Sequence, residues 1–481
     1  MDPGDYTAPS NPPPFARKKF LQLNIHRRKR GRTKEGEVII PQMALSTFSR
    51  RDRRFNWLGF ITDYVFFSIG LTFAGTNTIL PAFAANLTDN PILIGMANAL
   101  WQGGWLLPQM FAAHYLSTAP RKLPVIKFVA WIGRPVFLVF GILLFLSGSI
   151  LPAAFLLGLF FCSFYFSFTD SIAGVAWFDL LGKAFSHRER GRVIGVGQAV
   201  SGVLSIGAGA AIGWVLQSSG LAFPDNYALL FILASICFMI SLGGMYLVRE
   251  PHEPVASERQ KMAEYLPGLV RLLRTDRTFL RVNVARLLMA MCAMASPFFA
   301  VYAIRELGIP EAGIGGFAIA QTVGSALAGL LFGWVADRFG SHVVIRIVGG
   351  VYLLAPCLVL AAGMIGAGGA GAVVLVSAAF LFLGLGDGSI MLGFINYVLE
   401  IAPQGQRPVY IGLTNTLIGV IVLFPFIGGA LAEWGGYRLV FLLAAAGIAA
   451  GWFMGASLPS RSAHFASGQG EAQKSEPPYN G

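Results

Sequence analysis

Two aspartates, Asp170 and Asp387, lie deep inside long apolar stretches at matching places in the two halves of the chain. Shifting the sequence by 217 positions lays Asp170 on Asp387, Arg190 on Arg407, Ile194-Gly195 on Ile411-Gly412, and Gly202-Val203 on Gly419-Val420. A carboxylate in lipid is expensive unless paired or neutralised, so such a residue marks a working site by default. Two chemistries suit it. A carboxylate whose access to water alternates between sides can bind and release a proton, or it can hold a cationic ligand directly. The opposing reading is a structural ion pair, for which Arg134, at a similar depth, is a partner for Asp170. No arginine is evident near Asp387. One such acid in each half of a repeated membrane protein points to transport.

The elements that must position these acids are membrane helices. The 481-residue chain is 55% hydrophobic and only 12% charged, with a mean hydropathy of +0.63. An ordinary soluble domain carries about 25% charged residues and is excluded. The net charge of +12 raises nucleic acid as a partner. However, much of the excess sits in the first 54 residues (Lys18, Lys19, Arg27 to Arg30, Arg50, Arg51, Arg53, Arg54) and in short loops. Basic loops beside apolar spans are the topology signal of a membrane protein, so no nucleic-acid partner is expected. Cys162, Cys237, Cys292 and Cys357 each fall alone in an apolar span, without metal spacing or a disulfide pattern, and read as small core residues. The N-terminal segment lacks a short apolar core followed by a cleavage site, so it is no signal peptide. It reads as a disordered basic cytoplasmic tail able to rest on anionic lipid.

A helix needs about 20 mostly apolar residues to cross the hydrocarbon core. That rule predicts twelve spans, at 57–83, 92–117, 124–147, 150–181, 192–217, 226–248, 279–304, 312–335, 342–364, 371–400, 408–432 and 436–458. The chain is thus expected to be an all-α membrane protein of two six-helix bundles, over 55–248 and 279–459, related by an internal repeat. Residues 1–54 and 460–481 form disordered tails, and 249–278 a cytoplasmic linker. Within that linker Met262, Leu266, Leu269, Leu272 and Leu273 alternate with charges at helical spacing, which predicts a helix lying at the membrane interface. Arginine and lysine gather in the tail, at Arg121-Lys122, and over 183–192, 249–281 and 338–346, whereas the alternate loops carry almost none. Both termini are therefore expected in the cytoplasm of a multi-pass plasma-membrane protein.

Between the eighth and ninth spans runs Gly333-Trp-Val-Ala-Asp337-Arg338-Phe-Gly340. With six plus six spans, a central loop and a parallel repeat, it resembles the Gly-x-x-x-Asp-Arg-x-Gly loop motif of the major facilitator superfamily. The physics suits a gate: glycines permit a tight turn and close helix approach, and an aspartate can cap a neighbouring helix. That motif is usually clearest between spans 2 and 3, where this chain reads His114-Tyr-Leu-Ser-Thr-Ala-Pro120-Arg121-Lys122, with no acid. Pro425-Phe-Ile-Gly428-Gly429-Ala-Leu431 resembles the end of a motif that marks antiporters, a hint of export, although small residues also serve plain helix packing.

The resemblance implies that spans 1, 4, 7 and 10 line a central cavity. On them fall Asp63, Asp170, Arg286 and Asp387. Ser163, Ser167, Asp170 and Gly174 share one face of span 4, and Gly384, Asp387 and Met391 one face of span 10. Asp170 and Asp387 lie roughly 20 Å from the cytoplasmic ends of their helices, near the midplane where transporter sites at repeat interfaces sit. Asp63 and Arg286 are about two turns from that face, where snorkelling or a gate pair competes with ligand contact. Gln102, Gln321 and Asn283 add possible hydrogen bonds. Arg190 with Glu189, and Arg407, lie in equivalent loops after spans 4 and 10 and are expected either to hold a cytoplasmic gate or to serve topology.

The reading that follows is a monomeric secondary active transporter. It would move a small molecule by alternating access, coupled to protons, with the lipid bilayer as its surroundings and no cofactor or metal. No Gly-x-x-x-x-Gly-Lys-Ser/Thr loop suggests an ATPase, and six scattered histidines do not suggest an embedded enzyme. The alternatives are a uniporter, or a non-transporting sensor or assembly factor that keeps the architecture.

Overall fold

The computed structural model describes residues 49–109, 111–112, 116, 121–147, 151–218, 220–250, 272–273, 275–365, 369–403 and 407–460, without the side chains of 187, 188 and 407–409. Most of the basic tail, the expected interfacial helix apart from Leu272 and Leu273, residues 113–115 and 117–120 of the loop after span 2, and the tail beyond 460 lie outside them.

Among the described residues every regular element is helical. In chain order these are α1 (Arg50–Ala74), α2 (Ile79–Ala85), α3 (Pro91–Leu106), α4 (Leu123–Gly133), α5 (Val136–Leu146), α6 (Pro152–Ala184), α7 (His187–Gln217), α8 (Asp225–Leu247), α9 (Arg277–Met289) and α10 (Cys292–Arg305). They are followed by α11 (Gly313–Phe339), α12 (Ser341–Ile365), α13 (Ala370–Ile390), α14 (Asn396–Ile401), α15 (Arg407–Ile418) and α16 (Phe424–Ala456). A π turn, Met391–Ile395, joins α13 to α14, and a 3₁₀ turn, Gly419–Leu423, joins α15 to α16.

Among the described residues ten stretches are long and apolar enough to cross a membrane. Large apolar side chains stand exposed on their outer surfaces, among them Met364 (87% exposed), Phe453 (83%), Trp434 (82%) and Leu146 (77%). Contiguous apolar exposure on that scale belongs in lipid rather than water. The chain is an integral, multi-pass membrane protein.

Local chemistry fixes the helix ends. Ser49 caps α1 by accepting from the Asp52 N–H, Asn90 caps α3 through Ile92 N–H, and Asp276 caps α9 through Phe279 N–H. Three long spans are interrupted, each beside the interior. The first breaks at Gly75, whose φ of 33° ends α1 before α2 begins. The third breaks at Arg134-Pro135, because proline has no N–H to continue the ladder; Ser235 Oγ donates to the freed Arg134 carbonyl at 2.7 Å. The seventh breaks at Ala290-Met291, between α9 and α10. Helix interruptions at membrane depth survive where protein or a cavity satisfies the backbone.

Helices pack mainly on neighbours within their own half: α1 on α7 and α8, α6 on α3 and α4, α13 on α11 and α12, and α16 on α9, α10 and α12. The most extensive packing between halves is of α7 with α11 and of α3 with α16, with smaller crossings of α10 on α2 and α3 and of the 3₁₀ turn on α3.

Candidate functional site

The interruptions of the first and seventh spans border a cavity of about 420 Å³, lined from both halves. Phe67 and Leu71 of α1, Thr76 and Asn77 of the α1–α2 break, Asn98, Trp101, Gln102 and Trp105 of α3, and Asp170 of α6 form one wall. Arg286 and Met289 of α9, Ser296 of α10, Tyr352 of α12 and Asp387 of α13 form the other. A second cavity of about 270 Å³ lies between α1, α7, α11 and α13, lined by Thr72, Gln198, Ser205, Gln321 and Ser325. Asp387 borders both.

The charged groups are held very differently. Asp63 is 5% exposed and bonded twice: Arg134 Nη2 donates at 3.3 Å and Ser241 Oγ at 2.6 Å. Arg134 also donates to the Phe238 carbonyl and lies over the Phe67 ring. The carboxylate of Arg134 is thus Asp63 and not Asp170, and neither Asp63 nor Arg134 lines the cavity. Asp170 is half-buried on the cavity wall and, among the described residues, makes no hydrogen bond or ion pair. Asp387 is exposed to the cavity and held by neutral donors, Tyr352 Oη at 2.7 Å and Gln321 Nε2 at 3.4 Å. Arg286 lines the cavity with no bonded acid among the described residues, and its Nη1 is buried without a partner.

An amide chain runs along one side of the cavity. Gln102 Nε2 donates to Asn98 Oδ1 (2.6 Å), Asn98 Nδ2 donates to Asn77 Oδ1 (3.1 Å) and the Thr76 carbonyl (2.9 Å), and Ser296 Oγ donates to Asn77 Oδ1 (3.2 Å) across the two halves. Ser167 and Asn283 lie away from it. Each donates to its own helix, Ser167 to the Ser163 and Phe164 carbonyls and Asn283 to the Phe279 carbonyl. Asn77, Asn98, Ser296 and Tyr352 are the cavity groups not expected from sequence. Their signal, polar groups inside apolar spans, is present but common.

Buried pairs are vulnerable to losing one member. Asp63→Asn leaves the Arg134 guanidinium buried without a countercharge, an expected loss of about 3 kcal/mol. Thermal unfolding of the purified protein measures it, and the double change Asp63→Leu with Arg134→Leu should recover much of the loss. A double variant less stable than Asp63→Asn would contradict this account.

Besides Ser296–Asn77 and the Gln198 Nε2 bond to the Ser325 carbonyl at 3.2 Å, the bonds that join the halves involve charged groups and gather at one face. Arg305 pairs with Asp89 at 3.1 Å and donates to the Ala85 and Thr88 carbonyls. Glu311 accepts from Asn86 Nδ2 at 2.8 Å and from Tyr227 Oη at 3.1 Å. At the other face the polar clusters seen among the described residues each lie within one half. Lys183 meets Asp179 and Glu250, and Arg190 of α7 donates to the Gly182 and Phe185 carbonyls at the end of α6. Glu189 is in the capping box of Ser186. In the second half, Ser341 donates to Glu400 and Tyr410 to Asp276. The side chain of Arg407 lies outside the described residues.

A sequence model of the Major Facilitator Superfamily matches residues 62–422 and, overlapping, 287–479. The chain belongs to that superfamily. No curated protein sequence matches it significantly. Among solved structures, a bacterial homologue of the iron transporter ferroportin in its inward-facing state is similar with a TM-score of 0.61 at 14% identity, covering 84% of this chain and 98% of that one. A point variant of the nucleoside transporter NupG gives 0.62 at 14% over 85% and 100%, and a D-xylose–proton symporter 0.61 at 14% over 86% and 98%. At such identity the likeness shows the fold.

In this superfamily member the loop motif closes the turn from α11 to α12. Gly340 adopts φ 87°, the left-handed region that a tight turn needs. A side chain at Gly333 would meet open space, so no close approach depends on it in this conformation. Asp337 is exposed and bonds to no described residue, and Arg338 lies over Trp334 and Phe339. The Pro425 motif packs: a Cβ on Gly428 would strike the Met294 carbonyl, and one on Gly429 would lie 2.6 Å from the Pro91 carbonyl.

Proposed function

We propose that the chain is a proton-coupled secondary active transporter that moves a small molecule by alternating access. The observation that carries this reading is a cavity shared by both halves, bearing acids from each, with the charged bonds between the halves at one face among the described residues. Two halves tied by charged groups at one end fit one of the two states that alternating access requires. The joined face is the one whose loops are poor in lysine and arginine, with Arg305 an exception, so it is read as outward under the charge rule, with both termini in the cytoplasm.

Twelve crossings fit the helices. The apolar stretch Tyr410–Ala456 has 47 residues and would measure about 70 Å if straight, more than twice a hydrocarbon core. Gly436, with φ 75° and ψ 169°, divides it into two crossings. The α3 region supplies the remaining one, giving six helices in each bundle.

Asp387 is the proposed proton site. It borders both cavities, and neutral donors hold it, so it can take up a proton without breaking a salt link. Tyr352, Cys292 and Arg286 are the other titratable or charged groups near it along the cavity. Gly333 to Gly340, Arg190 and Arg407 are proposed to meet when the cytoplasmic face closes. Asp337, unbonded here, would then find its helix terminus.

The test is purified protein in liposomes containing a pH-sensitive dye. Addition of a transported solute should move protons across the bilayer, and empty liposomes should not respond. A protein that carries solute without proton movement is a uniporter, and one that carries nothing while binding ligand is a sensor.

A further inference from the structure

Asp170 and Arg286 share one cavity, come from opposite halves, and neither has a bonded countercharge among the described residues. The groups that would ordinarily neutralise them are committed elsewhere. Arg134 is bound to Asp63, and Asp387 is bound to Tyr352 and Gln321. A guanidinium stays charged across the physiological range. A bare charge of either sign away from bulk water is costly, and a ligand of opposite sign removes that cost. We propose that the substrate is a zwitterion, its ammonium end held by Asp170 and its acid end by Arg286. This rests on the transporter reading above and names the class of solute it carries.

The walls suit such a molecule. Trp101 and Trp105 on the Asp170 side offer aromatic faces that attract ammonium groups and cover an apolar body. A guanidinium is the side chain best shaped to take a carboxylate in a two-bond fork. Both groups line the same cavity of about 420 Å³, within the size range of small-molecule sites. Because α6 and α9 belong to different halves, a zwitterion bridges them. A singly charged solute engages one half and leaves the other charge bare.

The experiment measures binding to the purified full-length protein in detergent, by thermal shift and by titration calorimetry. The probes are glycine betaine, leucine, phenylalanine and ω-amino acids from glycine to ε-aminocaproate. Each amino acid is compared with its methyl ester, which lacks the acid, and its N-acetyl form, which lacks the cation; a neutral pentose serves as control. At least one free zwitterion should bind roughly tenfold or more tightly than both of its single-charge derivatives. Arg286→Gln should abolish the preference over the ester, and Asp170→Asn the preference over the N-acetyl form. The derivative series runs on unaltered protein, so it stands even where a variant fails to fold. The proposal is overturned if no zwitterion binds, if either derivative matches the parent, or if both variants keep the full preference. Solute-driven proton flux with the pentose alone would remove this proposal and leave the transporter reading intact. A zwitterion that binds with the stated preference but is never carried would do the reverse.

Discussion

Asp387→Asn is expected to abolish accumulation driven by an imposed pH gradient, reducing it to the level of empty liposomes. Exchange of labelled against unlabelled solute should continue. The argument is local. Asparagine keeps the size of the carboxylate and can still accept from Tyr352 Oη, now at 2.7 Å, so the packing of α12 on α13 survives. It cannot carry a proton. Because no basic group is bonded to Asp387 among the described residues, the substitution strands no partner charge, and the variant should fold and bind. Tyr352→Phe removes one hydrogen bond to an ionised group, worth roughly 1.5–3 kcal/mol. It should therefore displace the pH profile of transport without flattening it, whereas the asparagine profile should be flat. Flux measured across a pH series in both variants separates the two effects. Gradient-driven accumulation by Asp387→Asn equal to the parent would remove this residue from the coupling step.

The second large effect is expected at Gly315. This residue lies near the start of α11, where α11 crosses α7 of the other half. A Cβ here would sit 2.6 Å from Gly213 N and closer still to the Gly209 carbonyl. Both obstacles are backbone, so no flexible side chain can move aside. Gly315→Leu should hold the two halves apart at the face where Arg305, Asp89, Asn86 and Glu311 now join them. Overpacking of this kind costs about 1–3 kcal/mol, which shifts a two-state equilibrium by roughly five- to 150-fold. Transport should fall accordingly, and a membrane-impermeant thiol reagent should reach a cysteine placed at Ser296 from the outer side. Gly207→Ala on α7, where an added Cβ meets nothing within 4 Å, is the matched control and should transport normally. Equal transport by Gly315→Leu would mean that this crossing does not open and close.

The fold was largely legible because bilayer thickness imposes a length on apolar runs that few other structures share. The duplicated aspartates and the Gly333–Gly340 motif carried the superfamily resemblance. The limits of the sequence appear at particular residues. Arg134 and Asp170 lie at matching depth, but depth along a helix says nothing of which way a side chain faces, and α1 with α8 supplied Asp63 and Ser241 instead. Ser167 and Asp170 are three residues apart on one helix, yet Ser167 turns onto Gly104 of α3 and its own backbone while Asp170 reaches the cavity. A tyrosine in an apolar span, such as Tyr352, is ordinarily packing, and only the fold sets its hydroxyl on Asp387. Asn77 enters the cavity because Gly75 breaks the first span. The glycine is visible in the sequence, but its φ of 33° is not.

Alternating access is tested most directly by distances measured at both faces of the same molecule. Spin labels are placed at Thr88 and Glu306 on one face and at Ser186 and Asp337 on the other, in protein whose four native cysteines are replaced. Pulsed electron resonance in lipid nanodiscs then reads both distances as pH is varied and ligand added. The account predicts a reciprocal change, in which the Thr88–Glu306 distance lengthens as the Ser186–Asp337 distance shortens. Two distances that stay fixed under every condition, or that lengthen and shorten together, would contradict it.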